Sequence, residues 1–391
     1  MAERSFNTLS VHAGVDSNEH FGAVSTPIYP ASIFAFEDAE EGAAIHNEQK
    51  PGYYYGRLGN PTTDALERTM AELENGEAAL AFASGMAAAS AVLLTYVKPG
   101  DNIVAPRSMY ATTTKLFAFL EDRFGVSTTF VDAARAPSYA EAATPETRIF
   151  WIETPSNPLV QITDIAEVTS LAANVGAITI ADNTFATPYN QRPIELGVDV
   201  VIHSATKYLG GHSDLTAGVL VSNRARVAEV RNTATKLFGG NIAPQIAWLV
   251  MRGIKTLALR MERHNSNAFQ LADFLSRHAG VAAVHYPGLA THNNHEIAKR
   301  QMRGFGGMIG LDVGSTEAGK KFVNSLKLAT LATSLGGVET IVQHSASMTH
   351  SSIPSEIRTA AGISDGLIRV SVGIEDITDL MDDFDAALMQ I

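Results

Sequence analysis

The chain has 391 residues, of which 46% are hydrophobic and 18% charged, so it can bury a large core and is long enough for two domains. Its formal charge of -12 argues against a nucleic-acid-binding surface, which would need clustered lysine and arginine. The absence of cysteine excludes disulfides, thiolate metal sites and a cysteine nucleophile, and it suits a reducing cytoplasm.

The first 60 residues are predicted to form an arm that contacts another surface. They contain GAVSTPIYP and PGYYYGRLGNPTT but few long apolar runs. They also lack the basic and apolar regions of a signal peptide, and no part of the chain has the roughly 18 uninterrupted apolar residues of a membrane span. We therefore expect a complete cytoplasmic protein that binds no membrane.

From residue 78 onward, short β-rich apolar runs alternate with helix-like segments, which predicts a mainly parallel sheet covered by helices on both faces. Three of these runs end in Glu153, Asp182 and Ser204. Ligands of open α/β sheets bind beyond the carboxyl ends of the strands, so we expect these residues to face one crevice. The predicted strands are AALAF (78–82), NIVAP (102–106), RIFWIE (148–153), AITIAD (177–182), VDVVIHS (198–204) and AGVLVS (217–222).

The pattern changes after about residue 250. A long helical pattern begins at Gln245 and is followed by HYPGL, GGMIGLDVG, the strand-like LIRVSVG and a final acidic helix. The sequence therefore predicts an arm over 1–60, a large α/β domain over 61–250 and a smaller α+β domain over 251–391.

Lys207 lies in SATKYLGGHSD, directly after a core strand. A lysine there is either a solvated surface residue or a desolvated amine with a lowered pKa, able to form a Schiff base with a carbonyl. If that carbonyl belonged to pyridoxal phosphate, the site would also need an acid for the ring nitrogen, donors for the phosphate and a flat group over the ring.

The chain offers residues for each of these tasks. Asp182 ends a strand, an Ala-rich helix begins at Ser84-Gly85-Met86, and hydroxyl groups flank Lys207. Taken singly, each could equally be an ordinary cap, turn or core residue. In chain order the candidates are Ser84, Gly85, Met86, Tyr110, Asp182, Ser204, Thr206 and Lys207.

These motifs resemble the Cys/Met-metabolism family of pyridoxal-phosphate enzymes of fold type I. The family includes methionine γ-lyase, cystathionine γ-lyase, cystathionine γ-synthase and the O-acylhomoserine sulfhydrylases. The resemblance runs from VHAG and STPIYPASIF through SATKYLGGHSD to SVGIEDITDL, and it is strongest to methionine γ-lyase. It implies a seven-stranded-type sheet, pyridoxal 5'-phosphate as cofactor, and a homotetramer built from dimers that share active sites.

The resemblance also implies individual roles. Lys207 would form the Schiff base, Asp182 would hold the pyridinium nitrogen, and Tyr110 would stack on the ring and act as acid or base. The phosphate would be held by Ser84, Gly85, Met86, Ser204 and Thr206, and by Tyr55 and Arg57 of a neighbouring subunit. The substrate's α-carboxylate would be held by Asn157, Ser334 and Arg369.

The implied reaction is γ-elimination from a γ-substituted L-amino acid, with γ-replacement by a synthase as the alternative. Methionine γ-lyases carry cysteine where this chain has Thr112. Cystathionine enzymes carry an acidic residue where this chain has Tyr54. They also carry an arginine near the position of Lys115. Glu339 could favour a cationic substrate tail, as in canavanine, or could be a capping or solvated residue. The candidate substrates are methionine, cystathionine, homocysteine and O-substituted homoserine analogues such as canavanine.

Two other classes of protein remain open from the sequence. The segment THNNHE places His292, His295 and Glu296 close together, which suggests a metal hydrolase as one alternative. The spacing suits a polar loop better, so we predict no metal. A non-catalytic binding protein of the same fold is the other alternative.

Overall fold

The computed structural model describes residues 4–348, 356, 358 and 362–391. Seven strands form a large sheet in the spatial order β1-β7-β6-β5-β4-β2-β3. β7 runs antiparallel to both of its neighbours, and the other neighbouring pairs are parallel. The strands are β1 (Ala78–Phe82), β2 (Asn102–Pro106), β3 (Ser127–Val131), β4 (Thr147–Glu153), β5 (Ile178–Asp182), β6 (Val200–His203) and β7 (Gly218–Ser222).

Helices cover both faces of this sheet. Ala79 and Ala81 of β1 pack in one hydrophobic cluster, whereas Leu80 and Phe82 pack in another on the opposite face. This alternation follows from the period of two in a strand and confirms the predicted α/β class. The helices up to residue 230 are α1 (Phe6–His12), α2 (Ala39–His46), α3 (Pro61–Glu74), α4 (Gly85–Tyr96), α5 (Ala111–Phe124), α6 (Pro137–Ala142), α7 (Ile165–Val175), α8 (Thr187–Asn190) and α9 (Arg224–Val230).

A second, five-stranded sheet lies in the C-terminal part, in the order β10-β11-β12-β9-β8. Its strands are β8 (Ala283–His285), β9 (Met308–Asp312), β10 (Thr330–Leu331), β11 (Ile341–His344) and β12 (Leu367–Ser371). The later α-helices given by the described residues are α10 (Lys236–Phe238), α11 (Pro244–Ile254), α12 (Leu257–Leu275), α13 (His295–Gln301), α14 (Thr316–Ser325) and α15 (Ile377–Leu388).

α12 links the two sheets. Leu257 and Met261, near its amino end, are buried in the core beside the large sheet, whereas Leu271 and Leu275 are buried beside the small one. The predicted boundary at 250 lies inside α11, and the division into an arm and two domains stays a prediction. No helix among the described residues is both long and apolar enough to cross a bilayer.

The six strands expected in the large sheet are all present. The seventh, β3, was missed because STTFV is polar and lies at the edge of the sheet, where only Val131 is buried. An edge strand needs no apolar alternation, so periodicity gave no signal.

Candidate active site

A cavity of about 460 Å³ opens beyond the carboxyl ends of β4, β5 and β6, between the amino ends of α4 and α5. It is the crevice expected from the strand ends. The predicted site residues that line it are Ser84, Gly85, Met86, Tyr110, Thr112, Asn157, Asp182, Ser204, Thr206, Lys207, Ser334 and Arg369.

Lys207 is largely buried in this cavity, and its Nζ donates to Ser334 Oγ at 2.6 Å. Burial, together with repulsion from the Arg369 guanidinium, lowers its pKa to about 8, although attraction to Asp182 opposes this. At pH 7 about a tenth of the amine is therefore uncharged and able to accept a proton, far more than for a lysine of ordinary pKa.

The loop that carries Lys207 is closed at its base. Thr206 N–H donates to Ala217 O at 3.2 Å, and Ala217 N–H donates to Thr206 Oγ1 at 3.0 Å. On the far side of Lys207, the buried Arg260 donates from Nη1 to Tyr208 O at 2.7 Å. The backbone on both sides of the lysine is thus fixed to neighbouring elements.

Asp182 closes β5 and lies beside Glu153, its partner residue across the parallel β4. Its Oδ1 accepts the Thr184 N–H at 3.0 Å. Burial raises the pKa of Asp182, whereas Thr184, His203 and Lys207 oppose this rise. A cation placed against Asp182 would stabilise its charged form.

The amino end of α4 forms a narrow cradle. Ser84 caps the helix by accepting the Ala87 N–H, which leaves Gly85 and Met86 in the first turn, where N–H groups have no intrahelical acceptor. A Cβ on Gly85 would lie 2.8 Å from Ser204 Cβ, and one on Gly218 would lie 2.1 Å from Ser84 O. Only glycine fits at these two positions, so the backbone can approach an anion closely.

Arg369 projects from β12 into the same cavity and is buried. It donates from Nη1 to Asn157 Oδ1 at 3.1 Å and from Nη2 to Ser334 O at 2.5 Å. Its Nε is buried with no hydrogen-bond partner in the described parts of the chain. Burial lowers its pKa to about 10, so the guanidinium stays charged at neutral pH and can attract an anion in the cavity.

Comparison with known proteins identifies the family of the chain. The model of the Cys/Met metabolism PLP-dependent enzyme family matches residues 7–389. The chain belongs to this family. It is 45% identical to the L-methionine gamma-lyase of Fusobacterium nucleatum subsp. polymorphum, over 98% of either chain. It is 46% identical to the cystathionine gamma-lyase of Bacillus subtilis, over 98% of this chain and 99% of the relative.

Solved structures agree. The cystathionine gamma-lyase of Lactobacillus plantarum complexed with L-serine has a TM-score of 0.92 at 40% identity, covering 99% of both chains. The metB protein of Corynebacterium glutamicum has a TM-score of 0.92 at 42% identity, covering 99% of this chain and 98% of that one. The predicted family, fold class, cofactor and reaction class, a PLP-dependent lyase, are confirmed.

The cavity fits the family's cofactor, pyridoxal 5'-phosphate (PLP). An amine with a lowered pKa, a buried carboxylate and a helix amino end meet in one space. These are the parts that an aldehyde, a protonated pyridine nitrogen and a phosphate require.

Three predicted site residues of the PLP enzyme do not line the cavity of their own chain. Tyr55 is 41% exposed, and the Arg57 guanidinium lies 5.5 Å from its ring and donates to Lys236 O. Glu339 accepts a hydrogen bond from Ser213 Oγ. A contact between Glu339 and a cationic substrate tail stays a prediction.

Several residues that line the cavity were given no role from the sequence. Glu153 was noted only as a strand end, although its carboxylate accepts the backbone N–H groups of Tyr110 and Asn157. These contacts join distant segments, so no local pattern could reveal them. The other residues without a predicted role include Thr184, Phe185, Thr216, Thr333, Leu335 and Gln343.

The residues that prompted a metal site serve local structure. His292 accepts the Asn294 N–H at 3.2 Å and donates to Val160 O at 3.2 Å, and His295 Nδ1 donates to Pro287 O at 2.8 Å. Glu296 pairs with Lys299 on α13. Within the described ranges, no group of three or more potential ligands could hold a metal ion.

Proposed function

We propose that the protein is a γ-lyase that releases a 2-oxo acid and ammonia from an L-amino acid with a leaving group on its γ carbon. One observation carries the proposal. Ser334 accepts Lys207 Nζ with its hydroxyl and Arg369 with its carbonyl. A substrate whose α-carboxylate binds Arg369 would therefore have its α carbon close to the Lys207 amine.

The proposed binding of PLP uses the residues already described. Lys207 would bond to its aldehyde, Asp182 would pair with its ring nitrogen, and Tyr110 would lie over the ring. Its phosphate would bind the N–H groups of Gly85 and Met86 and the hydroxyls of Ser84, Ser204 and Thr206. Bound PLP supplies electron withdrawal from the α carbon of an attached amino acid.

The chain itself would bind the substrate and move protons. The Arg369 guanidinium, with Asn157 and Ser334 around it, holds the α-carboxylate and so fixes the orientation of the Cα–H bond. The Lys207 amine, whose pKa of about 8 is near the working pH, then removes the α proton. Tyr110, 44% exposed at the cavity wall, is the proposed acid or base at the β and γ carbons.

The names of the relatives favour elimination over γ-replacement. They include L-methionine gamma-lyases, a cystathionine gamma-lyase and cystathionine beta-lyases such as that of Coxiella burnetii, which is 47% identical. All of these names describe lyases. We propose the same outcome for this chain.

The proposed γ substituent lies against Thr112, Thr333 and Lys115, which line the cavity and supply hydroxyl and ammonium groups. These three residues are exposed. A purely apolar methylthio group could not bond to them, whereas a substituent with oxygen or nitrogen atoms could. We therefore propose a polar γ substituent, linked through sulfur or oxygen.

A substrate panel tests both proposals. The PLP-loaded protein is incubated with methionine, cystathionine, homocysteine, O-acetylhomoserine and canavanine, with and without an added thiol, and 2-oxobutanoate is measured. We expect release without thiol, and a kcat/KM for a polar substrate at least about tenfold above that for methionine, the effect of one hydrogen bond to a charged group. A thioether product that forms only with thiol would instead establish a synthase, and methionine as the preferred substrate would refute the polar substituent.

We further propose that two chains build each site, within a homotetramer of dimers. Tyr55 and Arg57 lie outside their own cavity and could reach the phosphate in a neighbouring copy.

We propose the cytoplasm as the location of the protein. The lack of cysteine supports this proposal, because disulfides are rare in that reducing compartment.

Hybrid complementation tests this sharing. Lys207→Ala and Arg57→Ala proteins, each of low activity alone, are unfolded together, refolded and assayed. Shared sites predict a recovery of activity, because one site of a mixed dimer receives neither substitution. Mixtures no more active than the separate proteins would contradict shared sites.

A further inference from the structure

Glu153 is a buried carboxylate whose task the proposed reaction does not explain. It closes β4 and is only 4% exposed. Burial and repulsion from Asp182 raise its pKa to about 8. A buried acid beside a second acid is costly, so a specific use is expected for it.

The contacts of Glu153 show that use. Oε2 accepts the Tyr110 N–H at 2.9 Å, and Oε1 accepts the Asn157 N–H at 2.9 Å. The first donor, Tyr110, directly precedes α5, and the second lies in the loop that follows β4. One carboxylate thus joins Asn157, which lies 4 residues from Glu153, to Tyr110, which lies 43 residues from Glu153 along the chain.

Both donors belong to residues with proposed functions. Tyr110 carries the ring placed over the cofactor, and the Asn157 side chain accepts Arg369 Nη1 at 3.1 Å. We propose that Glu153 is a positioning residue that fixes the substrate-carboxylate site and the Tyr110 ring relative to each other. This inference rests on the proposed function.

A carboxylate suits both donors, because each of its two oxygens accepts, and these two N–H groups oppose the rise in the pKa of Glu153. Glutamine has nearly the same shape but offers one oxygen and one NH₂ group, which would face a backbone N–H. Glu153→Gln should therefore displace Tyr110 or Asn157 without leaving a cavity. Glu121→Gln is the matched control, because it makes the same change on the exposed side of α5.

The test uses glycine, which has a carboxylate but no γ substituent, so binding is measured without elimination. Titration of PLP-loaded protein by visible absorbance should show a glycine Kd about tenfold higher in Glu153→Gln, the effect of one hydrogen bond to a charged group, and unchanged in Glu121→Gln. In Glu153→Gln the KM for the best amino-acid substrate should also rise. The fold increase in KM should exceed the fold decrease in kcat. Unchanged glycine affinity would overturn the proposal.

A double-mutant cycle separates positioning from general destabilisation. If Glu153 acts through Asn157, adding Asn157→Ala to Glu153→Gln should raise the glycine Kd much less than the two separate effects combined. Independent, multiplying effects would contradict the proposal. If wild-type protein binds glycine but releases no 2-oxo acid from any substrate of the panel, the γ-lyase proposal is refuted. The test of Glu153 by glycine binding remains valid in that case.

If Glu153→Gln binds too little PLP for the glycine titration, amide hydrogen exchange tests the positioning role instead. Faster exchange confined to the segments around Tyr110 and Asn157 of the cofactor-free protein would support the positioning role. Faster exchange throughout the large sheet would contradict it.

Discussion

Replacing Lys207 by alanine is expected to lower kcat for amino-acid elimination by about 10³-fold or more. The substitution removes the group proposed to take the α proton, and positioned acids and bases contribute 10²- to 10⁴-fold. It also removes the amine that would bond covalently to PLP. Lys255→Ala is the control, because this lysine follows α11 and does not line the cavity.

The same experiment has a spectroscopic readout. The rate at which cofactor-free wild-type protein takes up PLP should rise with pH and level off above about 8, because the neutral amine is the reactive form and the pKa of Lys207 is lowered to about 8. Lys207→Ala protein should show no such rise. A wild-type rate that continues to climb towards pH 10.5 would mean that burial does not shift this amine, and full activity of Lys207→Ala would refute the mechanism.

Replacing Asp182 by asparagine is expected to lower kcat by about 10²- to 10³-fold, the range for removing one preorganised electrostatic partner. The change is nearly isosteric but removes the negative charge that would stabilise a protonated ring nitrogen. Steady-state kinetics at saturating PLP measure the effect, with Asp122→Asn on the exposed surface as control.

The visible spectrum gives a second check on Asp182. The absorbance band of PLP-loaded Asp182→Asn should differ from that of wild type, because the ring nitrogen loses its acidic partner. An unchanged band together with unchanged kcat would assign Asp182 a capping role only, towards the Thr184 N–H.

Much of the fold could be predicted because apolar runs and their polar ends follow simple periodicity. The ends of β4, β5 and β6 meet at one edge because parallel strands align their carboxyl ends, so Glu153, Asp182 and the start of the lysine loop were expected together. The polar edge strand β3 carried no such signal.

The rest of the site depends on contacts between distant parts of the chain. Glu153 meets Tyr110, and Ser334 meets both Lys207 and Arg369, and no spacing in the sequence records these distances. The pairing of Glu339 with Ser213 likewise required the three-dimensional structure. The sequence therefore predicted many of the residues that meet in the cavity, but not which of them hold the others in place.

The closed base of the lysine loop limits how the site can move. Thr206 and Ala217 bind each other on one side of Lys207, and Arg260 holds Tyr208 O on the other, so the loop cannot swing open as a hinged flap. The amine then changes position by rotation about its own side-chain bonds, a motion that takes picoseconds to nanoseconds in exposed residues. We therefore expect turnover to be limited by bond breaking or by product escape through the cavity mouth, and not by movement of this loop.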